Sequence, residues 1–106
     1  VRIHYDYLVI ALGSETNFFG LKNVEKYSFT MKTLADAISL RNRLIDMLEQ
    51  AENEKNPKIK ERLLTFVIVG GGFAGVETAG EINDFLHDAV SYYHNTKKED
   101  IHVILV

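Results

Sequence analysis

A glycine-rich segment at residues 70–75, with the sequence GGGFAG, constrains the fold more than any other part of the chain. An apolar, β-branched run at 65–69 leads directly into it, and a helical pattern leads out of it. Glycines at positions 70, 72 and 75 satisfy the spacing GxGxxG, which in this context is typical of a dinucleotide-binding βα turn. The candidate cofactor-binding residues of the turn are Gly70, Gly71, Gly72, Phe73, Ala74 and Gly75.

Each glycine of the spacing has a distinct physical role in such a turn. Gly70 permits the tight bend, Gly72 lets the backbone approach a pyrophosphate, and Gly75 lets the helix lie close to the strand. The unpaired N–H groups of the first helical turn then face the phosphates, and the helix dipole favours their negative charge. Two alternatives stay open on these residues alone: a turn used only for packing, and a turn that binds another nucleotide or S-adenosylmethionine.

The segments that follow the glycines complete a β-α-β unit. Apolar residues recur at helical spacing up to Tyr93, and residues 101–106 form an apolar strand, so we expect a right-handed unit with two parallel strands. Glu77 is predicted in the first helical turn, close to any ligand bound there. The residue that decides between NADH and NADPH in this fold follows the second strand, and thus lies after Val106.

The first half of the chain contains one more predicted strand and one long predicted helix. Tyr5–Leu12 reads as a strand whose successive apolar positions suggest burial on both faces. Residues 15–32 lack a sustained period and are predicted to be an extended connector. Thr33 and Asp36 fit a helix cap, followed by an amphipathic helix of roughly 18 residues. A second, short helix is expected near 58–64.

Composition narrows the classes of function. A net charge of −3 does not favour nucleic acid or anionic membrane as a partner. The absence of cysteine excludes a disulfide scaffold or a cysteine nucleophile within these residues, and the apolar runs are too short to span a membrane. Four histidines lack acidic or cysteine partners at ligand spacing, so no metal site is predicted, and no catalytic residue is assigned.

Three segments together resemble the FAD-dependent pyridine nucleotide-disulfide oxidoreductase superfamily, and within it type II NADH dehydrogenase most closely. They are the strand-like run at 5–14, the helix start at 33–37 and the run FVIVGGGFAGVETAGE at 66–81. The resemblance covers nearly the whole chain in the right order, which makes it more specific than the glycines alone.

The resemblance implies a flavoprotein in which an NAD(P)H domain interrupts an FAD domain. Hydride passes from NAD(P)H to FAD and on to an acceptor, for which quinone is expected. Ala11, Leu12 and Gly13 match a strand end that lies against FAD, and Glu77 matches an acidic residue near the nicotinamide end of NAD(P)H. The implied location is cytoplasmic, with the parent protein peripheral on the inner face of the membrane.

We therefore expect a Rossmann-like, three-layer βαβ unit of the α/β class, with three strands in a mainly parallel sheet and two main helices. It would be an inactive fragment of a flavoprotein with two dinucleotide-binding domains. Residues 1–14 would belong to the FAD-binding domain, 15–32 to a connector, and 33–106 to the N-terminal part of the NAD(P)H-binding domain. Exposed strands would favour a homodimer of the fragment. The rival hypothesis is a non-catalytic nucleotide-binding or interaction module.

Overall fold

The computed structural model describes all residues, 1–106, and contains four α-helices and two strands. The elements in chain order are α1 (Lys22–Tyr27), α2 (Leu34–Asn53), α3 (Pro57–Leu63), β1 (Thr65–Ile68), α4 (Phe73–Ala89) and β2 (His102–Leu105). Single turns of 3-10 helix follow α4 and precede β2. None of the helices is long and apolar enough to cross a membrane.

The predicted cap of the long helix α2 is confirmed. The Thr33 hydroxyl accepts the Asp36 N–H at 3.2 Å, and the Asp36 carboxylate accepts the Thr33 N–H at 2.8 Å. The hydrogen bond from the Thr33 backbone, with a second from Lys32, lowers the pKa of Asp36 below its ordinary value. Both exchanged bonds satisfy N–H groups that a helix start leaves without partners, which fixes the position at which α2 begins.

The β-α-β unit predicted for the second half is also present. β1 and β2 are parallel, and their register runs from Thr65 beside His102 to Ile68 beside Leu105. Two more hydrogen bonds extend the pairing into the glycine segment: the Val106 N–H donates to the Ile68 carbonyl at 2.9 Å, and the Gly70 N–H donates to the Val106 carbonyl at 2.7 Å. The carboxyl end of β1 is therefore held firmly at the point where the turn begins.

The core lies on one face of this small sheet. α2 and α4 pack there, around side chains that include the fully buried Leu48, Leu64 and Leu86. Val67 and Ile104, paired on the opposite face, are 56% and 43% exposed. The arrangement consequently has two layers rather than the predicted three, because no helix of this chain covers the second face.

The strand predicted at Tyr5–Leu12 is wrong for this chain, and so is its predicted burial. Residues 1–17 donate or accept no backbone hydrogen bond to other backbone groups, and Tyr7 and Leu12 are 93% and 94% exposed. A β-strand requires a neighbouring strand, and none lies beside these residues. The connector at 15–32 also differs from its prediction, since it contains the short helix α1.

Candidate functional site

The turn that follows β1 begins at Gly70 in a conformation that favours glycine. Its φ angle is +118°, a value that other residues rarely adopt. Because the Gly70 N–H still bonds to Val106, the chain turns abruptly at the last paired residue of the sheet. The role predicted for Gly70, a tight bend, agrees with this geometry.

Gly72 caps α4 without any side-chain hydrogen bond. Its backbone is extended, and a Cβ atom added there would meet no atom within 4 Å. The N–H groups of Phe73, Ala74 and Gly75 come before any helical acceptor, as at every helix start. The helix therefore presents open N–H donors and the positive end of its dipole on the side from which an anion can approach.

Gly75 lies against the turn itself. A Cβ atom added at Gly75 would come within 1.8 Å of the Gly70 carbonyl oxygen and within 3.8 Å of Leu105 Cδ1 on β2. Only glycine allows α4 to begin this close to the carboxyl end of the sheet. The predicted close approach of helix and strand is thus present, with the Gly70 carbonyl as the nearest contact.

A cleft of about 870 Å³ adjoins this turn. The turn forms one wall of the cleft. Residues of the connector between 16 and 31, some of them in α1, form the opposite wall. Most of its lining side chains are apolar, and the guanidinium-bearing Arg43 and Arg62 are among the others. Of the predicted turn residues, those that line it are Gly70, Gly72, Phe73, Ala74 and Gly75.

Five predicted site residues lie outside this cleft: Gly71, which belongs to the turn itself, and four residues elsewhere in the chain. Ala11, Leu12 and Gly13 are exposed in the extended N-terminal segment, and none of them lines the cleft. Glu77 is exposed and does not line it either. The placement of Glu77 in the first helical turn is wrong: α4 begins at Phe73, so Glu77 falls in the second turn, and the first turn contains no acidic residue.

The sequence offers the pair Phe18–Phe19 as rings that could stack on a ligand, with packing as the favoured alternative, and does not predict the backbone conformation of Phe19 in the cleft wall. Phe19 has φ +50°, Gly20 has φ +78°, and the Leu21 N–H donates to the Phe18 carbonyl at 2.9 Å. The Asn17 side chain accepts the Phe19 N–H at 2.8 Å. The available signal was Asn17 together with Gly20, which are residue types that favour tight turns.

The family model for pyridine nucleotide-disulphide oxidoreductases matches residues 1–103. The chain belongs to this family. An external alternative NADH-ubiquinone oxidoreductase of Yarrowia lipolytica mitochondria is 38% identical over 105 residues, which is 99% of this chain and 18% of the relative. The resemblance inferred from the sequence is thus confirmed, and it extends through the N-terminal segment that has no strand partner here.

Two further relatives come from other lineages. An external alternative NAD(P)H-ubiquinone oxidoreductase of Arabidopsis thaliana mitochondria is 42% identical over 97 residues, covering 90% of this chain and 17% of that protein. The type II NADH:quinone oxidoreductase of Mycobacterium tuberculosis is 41% identical over 78 residues, covering 74% of this chain and 17% of that protein. The chain spans less than a fifth of each of these relatives. No solved structure matches it.

Proposed function

We propose that this chain supplies the NAD(P)H-binding turn of a flavoprotein oxidoreductase that transfers hydride from NAD(P)H to FAD and on to quinone. The observation that carries the proposal is the open start of α4 at Gly72. Three features lie together there: a helix N-terminus, a backbone without side-chain obstruction, and the carboxyl end of a parallel strand. Dinucleotide pyrophosphates bind where these three features meet.

The residues at the turn fit such a ligand without a cationic side chain. The N–H groups of Phe73, Ala74 and Gly75 would donate to the pyrophosphate oxygens, while Gly72 would leave room for them to approach. When bound, NAD(P)H supplies the hydride and FAD accepts it. The turn positions the ligand and stabilises its negative charge. No side chain of the turn donates or accepts a proton in this reaction.

The flavin contact is a separate part of the proposal. Ala11, Leu12 and Gly13 form exposed, extended backbone, with Gly13 at φ +76°, and we place that backbone against FAD in the parent protein. The family match from residue 1 onward supports this assignment. Glu77 is assigned to the nicotinamide end on the same ground, although it lies on α4 outside the cleft in this chain.

Quinone is proposed as the acceptor because the relatives are named as ubiquinone or quinone oxidoreductases. Two of these relatives are named as mitochondrial and one is bacterial. A peripheral position on a membrane and a cytoplasmic location for the parent therefore stay predictions.

Gly72→Val tests the turn as the binding site. Because a Cβ at Gly72 would contact nothing within 4 Å, the variant should fold normally while its methyl groups obstruct the pyrophosphate. We expect weak NADH binding to the 106-residue chain and at least about a tenfold further loss in the variant, the equivalent of one charge-assisted hydrogen bond. Isothermal titration calorimetry measures both affinities.

Gly80→Val is the matched control, since Gly80 lies on α4 away from the cleft and also has open space around it. It should bind NADH as the wild type does. Equal NADH affinity of wild type and Gly72→Val would argue against this turn as the binding site.

A further inference from the structure

Phe19 is held in a backbone conformation that its side chain disfavours. At φ +50° it occupies the left-handed region, in which a bulky residue is an outlier, and its ring is 84% exposed. The strained turn contributes nothing to the buried core, whose residues all lie between 44 and 101. Backbone outliers of this kind concentrate at functional positions. Since Phe19 lines the cleft, a function of its exposed ring would lie there.

The cleft lies on one particular side of the glycine turn. Its walls are the connector, α2, the end of α3, β1 and the start of α4, and no residue of β2 lines it. In a dinucleotide-binding unit the adenosine half extends toward the carboxyl end of the second strand, which is β2 here. A pyrophosphate at Gly72 therefore directs the nicotinamide half to the opposite side, into this cleft.

We propose that Phe19 is a binding residue for the nicotinamide half of NAD(P)H, packing its ring against the nicotinamide riboside across the cleft from Phe73. This inference rests on the proposed function of the turn. Phe73, at the first position of α4, is 92% exposed and lines the same cleft. Phe19 and Phe73 are the most exposed of the four exposed aromatic residues that line it, the others being Tyr27 and Phe29. Burial of exposed aromatic surface against a planar ring is favourable and depends on geometry, which the fixed turn supplies.

Asn17 is a positioning residue for Phe19. Its side-chain oxygen accepts the Phe19 N–H at 2.8 Å. Together with the hydrogen bond from the Leu21 N–H to the Phe18 carbonyl, this bond holds the turn on both sides of Phe19. The side-chain contact compensates in part for the unfavourable φ angle, and it keeps the ring over the cleft before the ligand arrives.

Phe19→Gly separates a binding role from a structural one. Glycine adopts φ +50° readily, so the variant should unfold at the same or a higher urea concentration than wild type. Its Kd for NADH should nevertheless rise about threefold to tenfold, the range expected for one lost aromatic contact. ADP-ribose, which has the pyrophosphate and no nicotinamide, should bind wild type and variant equally. Calorimetry with both ligands measures this.

Two more variants complete the design. Phe19→Tyr retains the ring and should bind NADH as wild type does. Tyr92→Ala removes an equally exposed ring, 85% accessible, that lies beyond the C-terminal end of α4 and outside the cleft, and should leave both affinities unchanged.

The results distinguish the two levels of the hypothesis. Unchanged NADH affinity in Phe19→Gly, or equal losses for NADH and ADP-ribose, would overturn the role of Phe19 while leaving the turn intact as a site. NADH binding that is insensitive to Gly72→Val would overturn the proposed function, and the role of Phe19 with it.

Discussion

A Cβ atom added at Gly75 would lie 1.8 Å from the carbonyl oxygen of Gly70, whereas one added at Gly72 or Gly80 would meet nothing within 4 Å. The three glycines thus serve different ends. At Gly75 the missing side chain is a requirement of packing, because the obstructing atom belongs to Gly70, whose N–H donates to the Val106 carbonyl directly after β2. At Gly72 it leaves open space beside the start of α4, on the side proposed for the ligand.

Gly75→Ala should destabilise the protein by about 2 kcal/mol, because the turn or the start of α4 must move to admit the methyl group. Gly80→Ala, five residues later on the same helix, should stabilise it by about 0.5–1 kcal/mol through helix propensity alone. Urea unfolding followed by circular dichroism gives both free energies of unfolding. Stabilisation of both variants would show that the Gly70 carbonyl imposes no constraint.

The structural roles predicted for single residues agree with the structure where one local backbone or packing requirement decides the residue type. Gly70 could be predicted because the sharp turn after the strand requires a positive φ angle, and Gly75 because the helix start leaves no room for a Cβ atom. The positive φ angle of Phe19 was not predicted, since a pair of phenylalanines does not reveal it and the signal lay in the flanking Asn17 and Gly20. Glu77 was placed one turn too early because the helix start depends on Gly72, which caps α4 without a side-chain signal.

The last turn of α2 is joined to the loop before β2 by a single carboxylate. Glu52 accepts the backbone N–H groups of His94 at 2.9 Å and Asn95 at 2.8 Å, and the Asn95 amide donates back to the Glu52 carbonyl at 3.2 Å. Partial burial acts to raise the pKa of Glu52, but the hydrogen bonds from Asn95 and His94 outweigh it and lower the pKa below 4.5. This contact ties two elements that are more than 40 residues apart in the chain.

A lowered pKa in the folded state means that ionised Glu52 stabilises the fold above its unfolded value of 4.5, and that this contribution disappears as the pH falls through the folded value. Glu52→Gln should therefore be less stable than wild type at pH 7, and the difference should shrink below pH 4.5. Asp36, whose pKa is also lowered, is present in both proteins and cancels in the comparison. Thermal unfolding across this pH range measures the difference.

Glu49→Gln is the matched control for this prediction. Glu49 lies one turn earlier on α2 and is exposed, and its carboxylate accepts no hydrogen bond. Its replacement should leave the pH dependence of unfolding as it is in wild type. A pH dependence of Glu52→Gln identical to that of wild type would show that the contact to His94 and Asn95 contributes nothing to stability.

The elements that could be predicted from the sequence are those whose signals are local. α2 has a capping box at Thr33 and apolar residues that recur at helical spacing over a long stretch. β1 leads into the glycine turn, and α4 leads out of it. The strand expected at Tyr5–Leu12 has the right composition, but a strand forms only beside a neighbour, and the sequence of one strand does not reveal which neighbour is present. Short α1 has neither a side-chain cap nor buried residues, which left no pattern to detect.

The whole chain is less compact than its length suggests. Its radius of gyration is 18.4 Å, against about 13 Å for a compact domain of this size, and its longest dimension is 66 Å. Only ten of the 106 residues are buried, so the core is confined to one side of the sheet. The relatives are more than four times as long as this chain. A wide apolar surface is exposed here.

That exposed surface leads to the prediction that two copies of the chain associate. The sheet face without a covering helix presents Val67, Val69, Ile104 and Val106, each between 43% and 65% exposed, and the first two also line the cleft. Both strands also have an unpaired edge, and the N-terminal segment has exposed apolar side chains. Apolar patches and open strand edges of this kind favour pairing between chains. Sedimentation velocity over a range of concentrations should show a dimer.

Val67→Lys should shift this equilibrium toward the monomer, because dimerisation over the sheet face would bury a charge without a partner. Ser39→Lys adds the same charge on the exposed side of α2, away from the sheet, and should dimerise as wild type does. An effect of both lysines would indicate general charge repulsion rather than loss of a specific face. A wild-type chain that stays monomeric at every concentration would contradict the prediction, and it would show that about four exposed aliphatic side chains do not provide enough apolar area for a stable interface.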